Sequence, residues 1–231
     1  MVIKVGEHFF NYGSDSDDQD LLYIINWNRY YRSERALIAD YVNKSDTVVD
    51  VGANLGFFTI LLSNLVGPNG KIFSFEPSKK TFKALSENIK INNIRNVIME
   101  NSGCGDIEGT FSLSKDGKFS GMDHIIVDKT EVTNFERIDM IKLDNYFESF
   151  NGRINLIKID TEGYEPNVLK GAVKLINSFH PVLVVELSRT YLQQSVDAKR
   201  IISEMGYRIE NNEVSIENAP SGTNFVCRYV D

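Results

Sequence analysis

Only two cysteines occur in the 231 residues, Cys104 and Cys227. They lie far apart, in or beside apolar segments. They supply neither the paired spacing of a metal site nor the framework of a disulfide-stapled domain. Two half-buried thiols in a reducing compartment are expected. No basic run exceeds the pair Lys79-Lys80, and the formal net charge is -7. A general nucleic-acid binder needs clustered Lys and Arg to follow phosphates, so no nucleic-acid partner is expected. No apolar run approaches the roughly 18 residues that span a bilayer. The longest, around residues 57–66, is broken by Thr59, Ser63 and Asn64. Residues 1–10 lack the basic and then apolar order of a secretory signal, and a cytoplasmic location is the expectation.

What is present is the composition of a globular chain, 42% hydrophobic and 25% charged, long enough for one α/β domain with a sizeable core. The N-terminal segment is aromatic, with Phe9, Phe10, Tyr12, Tyr23, Trp27, Tyr30 and Tyr31. It reads as a lid, an oligomer contact or core packing. A helix follows from Ser33 to Val42. Residues 1–44 are thus set apart from a main domain over 45–231.

A regular alternation then begins. Residues 47–51 form a short apolar strand of the kind buried on both faces of a parallel sheet. A helix over 56–65, the turn Gly67-Pro68-Asn69-Gly70, a strand over 71–75 and a helix from Ser78 to Ile91 follow. A third strand opens at Val97. This β-α-β-α-β order predicts an open, mostly parallel sheet with helices on both faces, a Rossmann-like fold. Residues 109–136 lose helical periodicity and read as a β-rich insertion over one sheet edge. A fourth strand over 154–159, a single helix over 165–178, a strand over 182–186 and a helix over 196–205 restore the pattern. Two last strands, 207–209 and 225–229, are expected to pair antiparallel.

The sharpest motif is Asp50-Val-Gly-Ala-Asn-Leu-Gly56, directly after the first main strand. Such turns lie at the carboxyl edge of a parallel sheet, where ligands of these folds bind. Gly52 and Gly56 permit a sharp turn and a close backbone approach. Glu76 ends the next strand about 20 residues on, where a carboxylate can accept from both hydroxyls of an adenosine ribose. Pro77 fixes the chain there. The dinucleotide spacing Gly-x-Gly-x-x-Gly is not met, because Asn54 and Phe57 stand where glycines would be. S-adenosylmethionine (SAM) has no phosphate but carries a carboxylate and an ammonium. Turn amides could hold the first and Asp50 the second.

These segments, Val48 to Gly56 and Phe75-Glu-Pro77, together with Ile157-Lys-Ile-Asp-Thr-Glu-Gly-Tyr-Glu165 and Leu169-Lys-Gly-Ala172, resemble the FkbM family of SAM-dependent methyltransferases. The resemblance runs from about Ser45 to Glu186. It implies a class I methyltransferase fold, a seven-stranded sheet whose last strand is antiparallel. It also implies O-methylation of a small-molecule or glycan acceptor: a sugar hydroxyl or that of a secondary metabolite. By position it assigns Asp50, Gly52, Ala53, Asn54 and Gly56 to the methionine moiety, Glu76 and Pro77 to the ribose, and Asn101, Ser102 and Gly103 to adenine.

An acceptor alcohol needs a group to take its proton. Asp160 and Glu162 stand at the end of the fourth strand, and two acids this close push one pKa upward. Lys158 points to the same face as Asp160 and could pair with it. The competing reading makes Asp160 and Glu162 caps of the following helix. His124, in the insertion, is a third candidate base. Asp160, Glu162 and Glu186 could together hold a divalent cation, but nothing in their spacing requires one and no metal is expected. Two other readings remain open on the sequence: a non-catalytic binding module of the same fold, and a nucleic-acid methyltransferase. Neither the acceptor nor the oligomeric state can be read from the residues.

Overall fold

The computed structural model describes residues 2–11, 35–115, 125–126, 134–210, 215–220 and 222–230. His124, Ser33 and the aromatic residues Tyr12, Tyr23, Trp27, Tyr30 and Tyr31 fall outside them.

The chain opens with a hairpin, β1 (Val2–Val5) and β2 (His8–Asn11), turning at Gly6. A helical segment α1 (35–39) leads into β3 (Thr47–Val51), α2 (Phe57–Val66), β4 (Lys71–Phe75), α3 (Lys79–Ile91) and β5 (Val97–Glu100). β3, β4 and β5 pair in parallel; β3 and β4 are buried almost throughout, whereas β5 at the sheet edge leaves Ile98 exposed. The Ser78 side chain caps α3 by accepting from the Thr81 amide, and Asn92 closes it.

The chain then leaves the main sheet. β6 (Gly103–Cys104), β7 (Gly109–Ser114), β8 (Ile125–Ile126) and β9 (Phe135–Ile141) make a second, four-stranded sheet in the order β6-β9-β7-β8. Leu113, Ile138 and Met140 from it share one core cluster with Phe73, Phe75, Ile157 and Ile159 of the main sheet. The insertion therefore packs against a sheet face, because its alternating apolar residues need a surface on which to lose water.

A short helix α4 (Leu143–Tyr146) returns the chain to β10 (Leu156–Ile159), then α5 (Glu165–Lys170), α6 (Val173–Phe179), β11 (Val182–Glu186), α7 (Leu192–Glu204), β12 (Tyr207–Ile209) and β13 (Asn224–Tyr229). The single helix expected over 165–178 is thus two. Gly171 lies between them, pressed so closely on Gly105 that a Cβ would stand 1.9 Å from the Gly105 oxygen. Its own carbonyl accepts from the Asp144 amide rather than continuing a helical ladder. Tertiary contact here overrides a helical period.

The main sheet runs β12-β13-β11-β10-β3-β4-β5, with β13 antiparallel to both neighbours. That is the expected α/β architecture, a mostly parallel seven-stranded sheet whose last strand is antiparallel. Both cysteines are buried free thiols, and burial pushes both above their ordinary pKa, Cys227 to about 12. No helix among the described residues is long and apolar enough to cross a membrane.

Candidate active site

The site is built on the carboxyl ends of β3, β4, β10 and β11. Strand register places Ser74, Asp50 and Lys158 side by side on three adjacent strands. All three are buried, and α2 lies over them. Thr59 of α2 donates to Asp50 Oδ2 at 2.6 Å and lies 3.0 Å from the Ser74 hydroxyl. The Lys158 ammonium stands 4.1 Å from the centre of the Phe58 ring. It donates to Asp160 Oδ2 at 3.0 Å and lies 4.0 Å from Asp50 Oδ1. Burial opposes the charge on Lys158, but the two carboxylates outweigh it and hold the amine above its usual pKa. Burial pushes the Asp50 carboxyl up, against the pull of Lys158 and Thr59.

Asp50 was expected to meet a ligand ammonium directly. Its side chain is wholly enclosed and committed to Thr59 and Lys158. It supports the turn from beneath, because its place in the pleat faces α2. The turn amides are committed too. Gly52 and Ala53 both donate to the Phe75 carbonyl, Gly56 donates to that of Ala53, and Asn54 donates to Glu76 Oε2 at 2.9 Å. The expected donation of these amides to a carboxylate gives way to stitching β3 onto β4. Asn54 takes a left-handed conformation (φ 49), which Asn adopts more readily than most residues. Gly56 (φ 91) has a second constraint, since a Cβ would meet Leu85 Cδ1 at 2.7 Å.

Glu76 is buried at the end of β4, its Oε1 accepting from Ser78 N at 2.9 Å. Asn101 donates to the carbonyls of Glu76 and Pro77 at 2.9 and 3.1 Å, so it fixes the turn that carries the acid. Ser102 is buried beside it. Gly103 makes room for Met140, whose sulfur would lie 2.4 Å from a Cβ there.

Across the crevice, Asp160, Glu162 and Glu186 bring carboxylate oxygens within 4.8 Å of one another. Either a shared proton or a cation suits that spacing. Burial would raise the Asp160 carboxyl, but Lys158 and the facing Glu186 carboxyl hold it below its usual value. Burial, and then the Asp160 charge, push Glu186 up to about 11. Glu162, half-buried and beside Asp160 and Glu165, is pushed up to about 8 by its partial loss of water and then by their charges. Asp160 is thus favoured as the ionised member of the cluster, and Glu162 and Glu186 are shifted toward their protonated forms.

Neither Asp160 nor Glu162 caps a helix: α5 begins at Tyr164 without a side-chain cap. Glu165 ties the loop instead, its Oε1 accepting from Thr161 N at 2.8 Å, Thr161 Oγ1 at 3.0 Å and Gly163 N at 3.2 Å. Glu162 is left in a left-handed conformation, φ 52, uncommon for such a residue. The Tyr191 hydroxyl reaches its carboxylate. The Tyr191 ring fills the space where a Gly163 Cβ would stand, 2.8 Å from Cδ1. Tyr191 was not singled out in the sequence, because nothing around Ser188-Arg-Thr-Tyr191 signals a contact 28 positions back. Glu165 was legible in the Glu-Gly-Tyr-Glu motif but read as a helix start.

The donor set suits SAM. The buried Glu76 carboxylate, an acceptor at the end of β4, suits ribose hydroxyls. The ionised Asp160 suits an ammonium.

The methyltransferase FkbM domain matches residues 50–209. Methyltransferase 1 of Beauveria bassiana is 27% identical over 143 residues, covering 54% of this chain and 57% of that protein. The hexuronic acid methyltransferase AglP of Haloferax volcanii is 28% identical over 151 residues, covering 64% of this chain and 59% of its own. The chain therefore spans less than three fifths of the length of these relatives. The crystal structure of the FkbM methyltransferase from Methylobacillus flagellatus shares the fold, with a TM-score of 0.54 and 16% identity, over 93% of this chain and 56% of that one. With the domain matched over well more than half its length, the chain belongs to the FkbM family of SAM-dependent methyltransferases.

Proposed function

We propose that the protein moves a methyl group from SAM to a hydroxyl oxygen of a sugar, glycan or secondary metabolite. The observation that carries this is the meeting of three carboxyls at the strand ends: oxygens of Asp160, Glu162 and Glu186 lie within 4.8 Å of one another, and Lys158 pairs with Asp160 at 3.0 Å. Bound SAM supplies an already activated methyl on a cationic sulfur, so the protein's work is alignment and proton removal.

Glu76 holds the ribose and Asp160 the ammonium. Lys158 keeps Asp160 charged, and the buried Asp50 balances Lys158. Glu162 is the proton acceptor. Its pKa of about 8 leaves a fraction ionised near neutrality, and that carboxylate form takes the proton from the alcohol and then releases it to solvent. Tyr191 and Glu165 hold the loop that aims it. The sugar reading is favoured by the hexuronic acid named as substrate class in the Haloferax relative. The acidic balance of the chain opposes a nucleic-acid acceptor.

The test is incubation with SAM labelled in its methyl group and a panel of uronic acid glycosides, neutral glycosides and phenols. Label in a methyl ether, with Glu162→Gln slower by about a hundredfold, supports the assignment. Absence of S-adenosylhomocysteine (SAH) binding, or label on nitrogen or carbon, overturns it. Tight SAH binding without transfer to any acceptor would favour a binding module.

A further inference from the structure

The N-terminal hairpin is docked through two asparagines of α3. Asn92 Oδ1 accepts from Phe9 N at 2.8 Å and its Nδ2 donates to Phe9 O at 2.6 Å, as a neighbouring strand would. Asn88 Oδ1 accepts from Asn11 N at 2.7 Å. Four helical residues rise about 6 Å and two strand residues about 6.8 Å. One helix turn therefore matches one strand repeat. Asn11 also donates from its side chain to Glu87 at 2.9 Å. On the hairpin's buried side Phe10 meets Phe57 at 4.2 Å between ring centres and joins a cluster with Ala53 and Leu55.

Asn88 does more than hold the hairpin. Wholly buried, it donates from Nδ2 to the Leu55 carbonyl at 2.8 Å. Leu55 lies in the turn 50–56, between Asn54, bonded to Glu76, and Gly56. One side chain thus joins the backbone of the hairpin to the backbone of the turn. We propose that Asn88 is a positioning residue for cofactor binding, coupling the docked hairpin to the conformation of that turn. This rests on the reading of the turn as the cofactor site. Buried and bonded on both sides, Asn88 transmits any displacement of β2 to Leu55, and through the adjoining peptide to the Asn54–Glu76 contact. Cofactor binding and hairpin docking then stabilise each other reciprocally.

The test measures hydrogen exchange at the amides of residues 52–57 and 9–11, and SAH affinity by calorimetry, on the full chain. Asn11→Pro removes the main-chain donor to Asn88 together with the side-chain bond to Glu87, and leaves Asn88 and its bond to Leu55 in place. Asn88→Asp keeps the acceptor for Asn11 and removes the donor to Leu55. Both are expected to speed exchange at residues 52–57 and to weaken SAH by about fivefold to tenfold. The KM for SAM should rise while kcat at saturating SAM holds. In the wild type SAH should slow exchange at Phe9 and Asn11. Unchanged exchange at 52–57 in Asn11→Pro, or SAH affinity within about twofold of wild type in both variants, overturns the coupling. Exchange is read without ligand, so a wild type that fails to bind SAH would refute the cofactor reading while the coupling is still measured.

Discussion

Gly52 presses against the main-chain carbonyl of Asp160: a Cβ at Gly52 would stand 1.8 Å from that oxygen. The turn after β3 and the acid after β10 are therefore one surface. The glycine, needed for its positive φ of 80, is needed again for that contact. Gly52→Ala should move the two strand ends apart. The expected outcome is a stability loss of about 2–4 kcal/mol in a urea melt, together with loss of SAH binding. A variant that binds SAH normally would show that the contact can yield.

Among the described residues Lys158 is the one cation within 4.0 Å of both Asp50 and Asp160, hydrogen-bonded to the second alone. Lys158→Met strands two carboxylates and should cost about 3–5 kcal/mol in chemical denaturation. Adding Asp50→Asn should recover part of that loss. Without such recovery, the lysine would matter through its packing on Phe58 rather than through its charge.

The carboxyl cluster sets a direction for the pH dependence of stability. Glu162 and Glu186 have folded pKa values of about 8 and about 11, above the ordinary carboxylate range. Between the ordinary and the raised values the folded state binds more protons than the unfolded one, so stability falls as pH rises. Asp160 has the opposite sign, but its contribution is lost only as pH drops through the acidic carboxylate range. The melting temperature should therefore decline from about pH 5 to pH 9. Glu162→Gln should flatten that decline below about pH 8 and leave the part above it, which belongs to Glu186. A melting temperature that climbs over this range would contradict the charge assignment.

Glu76→Ala removes a buried carboxylate that also ties down the amides of Asn54 and Ser78. SAH affinity should drop by more than about tenfold, the scale of a charged hydrogen bond. Turnover at saturating SAM should change far less. An equal loss in both would place Glu76 nearer the reacting atoms than the ribose.

Much of the fold was legible because its signals are local. The nearly continuous apolar strands over 47–51, 71–75 and 182–186 point to burial on both faces, and the turns between them carry Gly, Pro or Asn. The break at Gly171 was not legible. Its cause is the backbone of Gly105, a neighbour only after folding. The same holds in the site. Asp160 and Glu162 could be named from their strand-end position, but two readings survived until Glu165 was seen tying the loop and Tyr191 was seen at Glu162.

The sequence alone determined the strand and helix periods, the glycine turn and the strand-end acids, since each depends on residues a few positions apart. Only the tertiary structure decided how those acids divide their charge. A carboxyl's pKa depends on burial and on which ion stands beside it, and Lys158, Asp50, Glu186 and Tyr191 come from different strands and a distant turn. It also decided that Asp50 faces inward and that Asn88 ties the hairpin to the turn, because contacts across 9 to 77 positions exist only once the sheet has assembled.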